Sequence, residues 1–354
     1  MPESYDERRS AGNPGHTDYE PMPYLMEYLK QHPPKLTFDA GTLEEWRSWR
    51  RRLIRRFRDC LGIRNIEHTG LDVELLDETD RGDYLRRYYR ITASPGLVVP
   101  AFLLVPKGEG GNRIGIVCSH GHGYGANELV GLDEEGRDRA EETYHHDLAV
   151  HAVRRGFVVV AHDQLAFGRR RDFTHLERFE MHPCQQATMV ALHLGLSNLA
   201  FRVFDAMRMV DFLQIQPEVD PGRIGMVGIS GGGVGTQFTA ALDTRIKACC
   251  VSGFTNTFEA SILSLYHCTD NYVPGLGVWA EDPDIACLIA PRAQLVQTGK
   301  QDPIFPFEAA KRAVEKIRRA YQLLGAEEKL ETELMDTDHV FSNAVVWDFM
   351  ARHL

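Results

Sequence analysis

The stretch Gly228-Ile229-Ser230-Gly231-Gly232 fits G-x-S-x-G, a spacing that can turn a serine hydroxyl into a nucleophile. Glycines on either side let the backbone bend sharply and keep side chains off the hydroxyl. The same pattern arises by chance in ordinary glycine-rich turns, so the serine needs a base and an orienting acid before it implies chemistry. Asp302 and His339 follow it in the order Ser, Asp, His, one of the known chain orders of such triads. His339 would take the Ser230 proton, and Asp302 would orient the imidazole and stabilise its charged form. Asp302 precedes Pro303 and also reads as a helix N-cap. Asp336 and Asp338 are alternative acids, although neighbours on one tight loop seldom face the same imidazole correctly.

Acyl chemistry at a serine also needs donors for the charge that develops on the carbonyl oxygen, and losing one typically costs about 3–4 kcal/mol. The backbone N–H of Gly231, the residue after the nucleophile, is one expected donor. The other is expected from Ser119-His120-Gly121-His122-Gly123-Tyr124-Gly125, with His122 chosen through its main chain and Gly123 next. His120 and Tyr124 of that loop are candidate pocket residues.

Such groups must be carried on strand ends. Apolar runs at Ile114–Cys118, Phe157–Ala161, Ile224–Ile229, Ala248–Val251, Ala293–Gln297 and Leu330–Met335 alternate with helix-compatible stretches. In one of these, Ser197 to Leu213, Leu199, Val203, Met207, Val210 and Leu213 share a face. Alternation of this kind predicts an α/β fold: a mostly parallel central sheet with helices on both faces. Asp302 and His339 then fall just after strands, where catalytic groups of open α/β sheets belong. Extended segments from Leu71 to Val105, with a hairpin turn at Ser94-Pro95-Gly96 between Tyr84–Thr92 and Leu97–Val105, predict antiparallel strands at one edge. The adjacent Cys249 and Cys250 read as small core residues.

Residues 1–70 are expected to form an N-terminal arm and helical extension, and 71–354 the catalytic domain. The proline- and glycine-bearing stretch 1–35 is expected to be loosely structured. Thr42 and Glu45 form a capping box at the start of a helix whose Leu43, Trp46, Leu53 and Phe57 share one face. Its seven arginines between Arg47 and Arg58 suggest a nucleic-acid patch at first. A net charge of −10 over 354 residues and the lack of interleaved aromatics favour a solvated face or a contact with a second copy. No nucleic-acid partner is expected. No apolar run approaches the roughly 18–20 residues of a membrane span, and Met1 to Asp18 lacks a secretory h-region. Seven cysteines without C-x-x-C spacing suggest reduced thiols and a cytoplasmic location.

The His120-Gly121 loop, Asp163, Gly168-Arg169, Asp220-Pro221 and Arg223-Ile224 before the serine together resemble the α/β-hydrolase superfamily, over roughly residues 71–354. Within it the chain looks like the dienelactone-hydrolase-like, prolyl-oligopeptidase-like and acetyl-xylan-esterase-like branch. That resemblance implies hydrolysis of carboxylic esters with no metal or organic cofactor. Two departures narrow it: dienelactone hydrolases proper use cysteine where Ser230 stands, and the N-terminal part is too short for a propeller. A serine esterase acting on short-chain acyl esters of a carbohydrate or small molecule is the expectation, with a peptidase or thioesterase as alternatives. A metal-dependent hydrolase is a rival suggested by His120-x-His122, His145-His146-Asp147 and His162-Asp163. The Asp-His that should follow the first pair and any H-E-x-x-H are missing, so no metal is expected. A hydrolase fold kept only as a binding module is a third reading. Arg169 to Leu196 and Asn256 to Ile285 are candidate pocket covers, the second carrying Tyr266, His267, Tyr272 and Trp279 as candidate substrate contacts.

Overall fold

The computed structural model describes residues 20–108, 110–172 and 183–354. The first nineteen residues of the expected arm, and residues 173–182 of the first expected cover, lie outside the described residues. Nine strands form one sheet in the order β1-β2-β3-β5-β4-β6-β7-β8-β9. These are β1 (Asp72–Asp80), β2 (Tyr84–Ser94), β3 (Leu97–Pro106), β4 (Arg113–Ser119), β5 (Val158–His162), β6 (Val219–Ile229), β7 (Ile246–Ser252), β8 (Ala293–Gly299) and β9 (Leu330–Met335). The first three pair antiparallel, as does β3 with β5; from β5 to β9 every neighbouring pair is parallel. This is the α/β-hydrolase fold, with the antiparallel strands at one edge.

Alternation along the central strands divides the core into two layers. Val117, Met226 and Cys249 pack into one hydrophobic cluster, while Ile116, Val227 and Cys250 pack into the other. Cys249 and Cys250 therefore occupy opposite faces, as the period of two in a strand requires. Helix α3 (Leu148–Arg154) contributes to one layer together with α9 (Val346–His353). The other layer receives α5 (Asn198–Gln214), α6 (Gly231–Leu242), α7 (Asp282–Cys287) and α8 (Phe307–Leu323); a further helix, α4 (Pro183–His193), precedes α5. Ser197 caps α5 by accepting from the Ala200 N–H, and Leu199, Val203, Val210 and Leu213 of its expected face are buried. Met207 is only partly buried.

β6 starts five residues earlier than the apolar run indicates. Val219 pairs with Arg113 before a register shift, and regular pairing resumes at Gly115 and Ile224, so Pro221-Gly222 lie inside an irregular strand.

The stretch 1–35 is not loose throughout: α1 (Pro21–Gln31) occupies its described part, started by proline at the positions where a missing N–H costs nothing. Thr42 and Glu45 form the capping box of α2 (Leu43–Leu61). Its buried stripe is Trp49, Leu53, Phe57 and Leu61, at the spacing of one helical face. Leu43 is exposed, because it sits in the first turn ahead of the contact. Phe57 meets Phe238 of α6 edge-on at 4.8 Å. Full burial of each such side chain contributes roughly 1.5–3 kcal/mol. The extension thus packs directly on the helix that follows Ser230.

Candidate active site

Ser230 lies between β6 and α6 with φ 58° and ψ −121°, outside the regions L-residues favour. Such a conformation costs about 1–3 kcal/mol and is kept where the surroundings enforce it. Both outer glycines of the motif are needed for that turn. A Cβ on Gly228 would run into the Gly232 carbonyl, and one on Gly232 into the Ser119 carbonyl of β4. The Ser230 N–H donates to Ser252 O at 3.0 Å, tying the turn to the end of β7.

Asp302 follows β8. Its Oδ1 accepts from the N–H groups of Ile304 and Phe305, each at 3.0 Å, which fixes the carboxylate plane. Its Oδ2 accepts from His339 Nδ1 at 2.7 Å. Asp302 is therefore not a helix N-cap, a place taken by Pro306 ahead of α8; its carboxylate ties the preceding turn and bonds His339. Asp336 pairs instead with Lys300 at 2.7 Å, and Asp338 is exposed. His339 Nε2 is buried without a hydrogen-bond partner, the state of an imidazole nitrogen ready to accept a proton. The rings of Tyr144 and Phe305 lie near-parallel to the imidazole, each 5.6 Å away between centroids. Beneath it is Gly253, at φ +51°, where a Cβ would stand 2.9 Å from His339 Cε1.

The loop after β4 is held by buried polar groups. His120 is fully buried: its Nδ1 donates to Gly121 O at 2.7 Å and its Nε2 accepts from the Gln164 N–H at 3.0 Å. Burial drives its pKa well below the ordinary value, so it stays neutral. His145 Nε2 accepts from the Gly121 N–H at 2.8 Å, and Asp163 receives the N–H groups of Ala126 and Arg169 at 2.7 and 3.0 Å. Of the histidines and acid that suggested a binuclear metal centre, His120, His145 and Asp163 instead hold the loop's backbone in place.

One cavity of about 430 Å³ is lined by Ser230, His339, His122, Tyr266, His267 and Cys268, among others, and Gly231 also borders it. Gly231 opens α6, where first-turn N–H groups have no acceptor within the helix. The His122 carbonyl accepts from the Tyr144 hydroxyl at 2.8 Å, and that hydroxyl also approaches the Ser230 side chain. The His122 ring packs against Gly231, with Nδ1 3.3 Å from where a Cβ would sit. Burial works against charge on His122, but hydrogen bonds to Asp270 and Cys268 outweigh it and raise the pKa to about 9. Burial alone would raise the Asp270 carboxyl, yet Arg202 and His122 hold it well below the carboxylate range.

Four expected contacts lie elsewhere. His120 is sealed under the loop rather than facing the cavity. Tyr124 turns away to Leu132 O and Arg139. Tyr272 donates to Ile262 O at 2.7 Å and borders a separate groove. Trp279 stacks under Arg56, 4.3 Å from the ring centre, because it packs on the N-terminal extension. Tyr266 stands at the cavity rim, 91% exposed, while His267 is half-buried with Nε2 3.0 Å from Ser261 Oγ. Tyr144, Phe305, Arg202 and Asp270 escaped the sequence reading, since each acts through contacts far along the chain.

The Abhydrolase family model matches residues 23–340. "Putative hydrolase YtaP" of Bacillus subtilis (strain 168) is 28% identical over 264 residues, covering 72% of this chain and 82% of that protein. Among solved structures, a putative acetyl xylan esterase from Bacteroides fragilis superposes with a TM-score of 0.77 at 18% identity, over 90% of this chain and 83% of that one. A glucuronoyl esterase from Solibacter usitatus gives 0.62 at 13% identity, over 91% and 97%. An acetyl xylan esterase from Paenibacillus sp. R4 gives 0.62 at 18% identity, over 93% and 99%. At these identities the structural likenesses speak for the fold.

Proposed function

The chain belongs to the Abhydrolase family, and from that membership we propose that it is a serine carboxylic ester hydrolase with Ser230, His339 and Asp302 as nucleophile, base and orienting acid. The observation that carries the reading is the 2.7 Å bond from His339 Nδ1 to Asp302 Oδ2, with Ser230 on a strained strand–helix turn bordering the same cavity as His339.

His339 Nε2 takes the proton of the Ser230 hydroxyl as its oxygen attacks the ester carbonyl carbon. The Ser230 hydroxyl swings from Tyr144 towards His339 for this step, an adjustment common when substrate enters. The N–H of Gly231 and the main chain at His122 meet the developing oxyanion. His339 returns its proton to the leaving alcohol, then activates a water that releases the acid from the acyl-serine.

The carbohydrate-esterase names of the structural relatives favour a short acyl group on a sugar or related small alcohol, and the 430 Å³ cavity suits a substrate of that size. Hydrolysis of p-nitrophenyl esters of increasing chain length, beside acetylated sugars and a thioester, tests this. The expected result is turnover of short-chain esters and fluorophosphonate labelling at Ser230. Equal turnover by the Ser230→Ala protein would remove the serine mechanism.

A further inference from the structure

Next to the catalytic cavity, three distant segments bring together side chains that the ester chemistry leaves unused. His122 comes from the loop after β4, Cys184 from α4, and Cys268 and Asp270 from the cover segment. One ligand atom from each lies within 4.8 Å of all the others. We propose that these four residues form a structural zinc site that staples the pocket cover to the loop beside Ser230.

The donor set is one imidazole nitrogen, two thiolates and a carboxylate oxygen, a combination that suits tetrahedral zinc. Zinc bonds of about 2.0–2.3 Å put neighbouring donors under about 4 Å apart, so the cluster needs to contract by only about 1 Å. Charge balances as well. Two thiolates and one carboxylate carry three negative charges, which a divalent ion and the adjacent Arg202 guanidinium cancel. Arg202 is 2% exposed and hydrogen-bonds Asp270, the place of an outer partner that orients a ligating carboxylate. An independent observation points the same way: Asp270 Oδ1 is buried with no hydrogen-bond partner. A buried carboxylate oxygen left so is costly, and an inner-sphere cation satisfies it.

The ion would have no place in the hydrolytic steps. Its effect is to fix His122, whose main chain is proposed to meet the oxyanion, and to anchor the segment carrying Tyr266 and His267. Because the thiols and the His122 ring must give up their protons before they can ligate, uptake releases protons and strengthens as pH rises.

The experiment uses reduced, chelator-treated full-length protein titrated with zinc or cobalt(II). Expected are one ion per chain, thiolate-to-cobalt charge-transfer absorption with strong tetrahedral visible bands, and zinc protection of Cys184 and Cys268 from alkylation, mapped by mass spectrometry. Cys60, partly exposed and elsewhere in the fold, serves as the internal control and should alkylate at the same rate with or without zinc. Cys184→Ser and Cys268→Ser should each weaken binding by about 100-fold or more, beyond the 10–100-fold typical of an outer partner. Ser230→Ala should bind zinc like the parent protein, so the site is tested apart from the esterase reading. No uptake by the reduced protein, a Cys184–Cys268 disulfide in its place, or zinc-independent alkylation of Cys268 would overturn the proposal; the last is read on the parent protein even if the variants misfold.

Discussion

The floor and the cover of the cavity are built by different means. On the floor, Ser230, Asp302 and His339 each follow a strand or a strand-end turn, and nearby main-chain N–H groups hold their segments: that of Ser230 donates to Ser252 O, and those of Ile304 and Phe305 donate to the Asp302 carboxylate. On the cover side, positions depend on side chains reaching across the molecule, such as Arg202 to Asp270. A floor of this kind is fixed by the sheet itself and is sensitive mainly where a new side chain would meet its backbone or the His339 ring. A cover of this kind stands or falls with a few buried charges.

The largest expected effect tests the floor. Ser230→Ala should lower kcat on p-nitrophenyl acetate by about 10⁴-fold or more with no change in the circular dichroism spectrum. A variant that keeps its rate would break the comparison, since the floor would then have no chemical purpose. Next comes the cover. Arg202→Met removes one of the two cations that hold the buried Asp270, leaving the His122 ring alone, which should cost up to about 3–5 kcal/mol in urea unfolding. Adding Asp270→Asn should recover part of that loss; purely additive losses would mean that the two residues do not act as a pair.

Gly253→Ala is a smaller perturbation aimed at one contact. The new Cβ would push on His339 Cε1, and a displacement of about 1 Å should lower kcat about 10²-fold. KM should change little; a dominant KM effect would assign Gly253 to the cover instead.

The smallest effect concerns a group just under the floor. His162, at the end of β5, is fully buried with both ring nitrogens unpartnered, and burial with Arg170 nearby presses its pKa down to about 3. Its folded value lies below the unfolded value of 6.5, so the unfolded chain binds the extra proton between them. The neutral ring therefore supports stability above about pH 6.5, and that support is lost as pH falls towards 3. His162→Leu should flatten the fall of the urea midpoint across this window and change stability at pH 7 by no more than about 1 kcal/mol. His120 and His145, also pressed down by burial, keep the slope from vanishing.

The contrast also accounts for what the sequence disclosed. β9 runs over the expected Leu330–Met335, and, β6 apart, the other central strands match their apolar runs to within two residues. Period-two burial and strand-end loops are local signals, so Ser230, Asp302 and His339 could be picked out together. Helix α1 was hidden because none of its residues is buried, which leaves the stretch without a clear core-facing pattern. Tyr124, Tyr272 and Trp279 looked like pocket residues because aromatic type says nothing of direction. Arg202 and Asp270 meet across 68 residues, and nothing near either marks the other. Cover contacts of that sort are legible only once the chain is folded.

Synthesis from the amino end gives the extension a further consequence. The Phe38 N–H donates to the Asp284 carboxylate at 2.7 Å, a partner 246 residues later in the chain. At about 5–20 residues per second, the ribosome takes roughly 10–50 s to deliver that partner. For most of that interval Phe57 lacks the Phe238 ring it meets, and of the stripe Trp49, Leu53, Phe57 and Leu61 only Trp49 has a partner already made, in Phe38 and Leu36. A nascent chain of this design has reason to be shielded by a chaperone until its last third emerges.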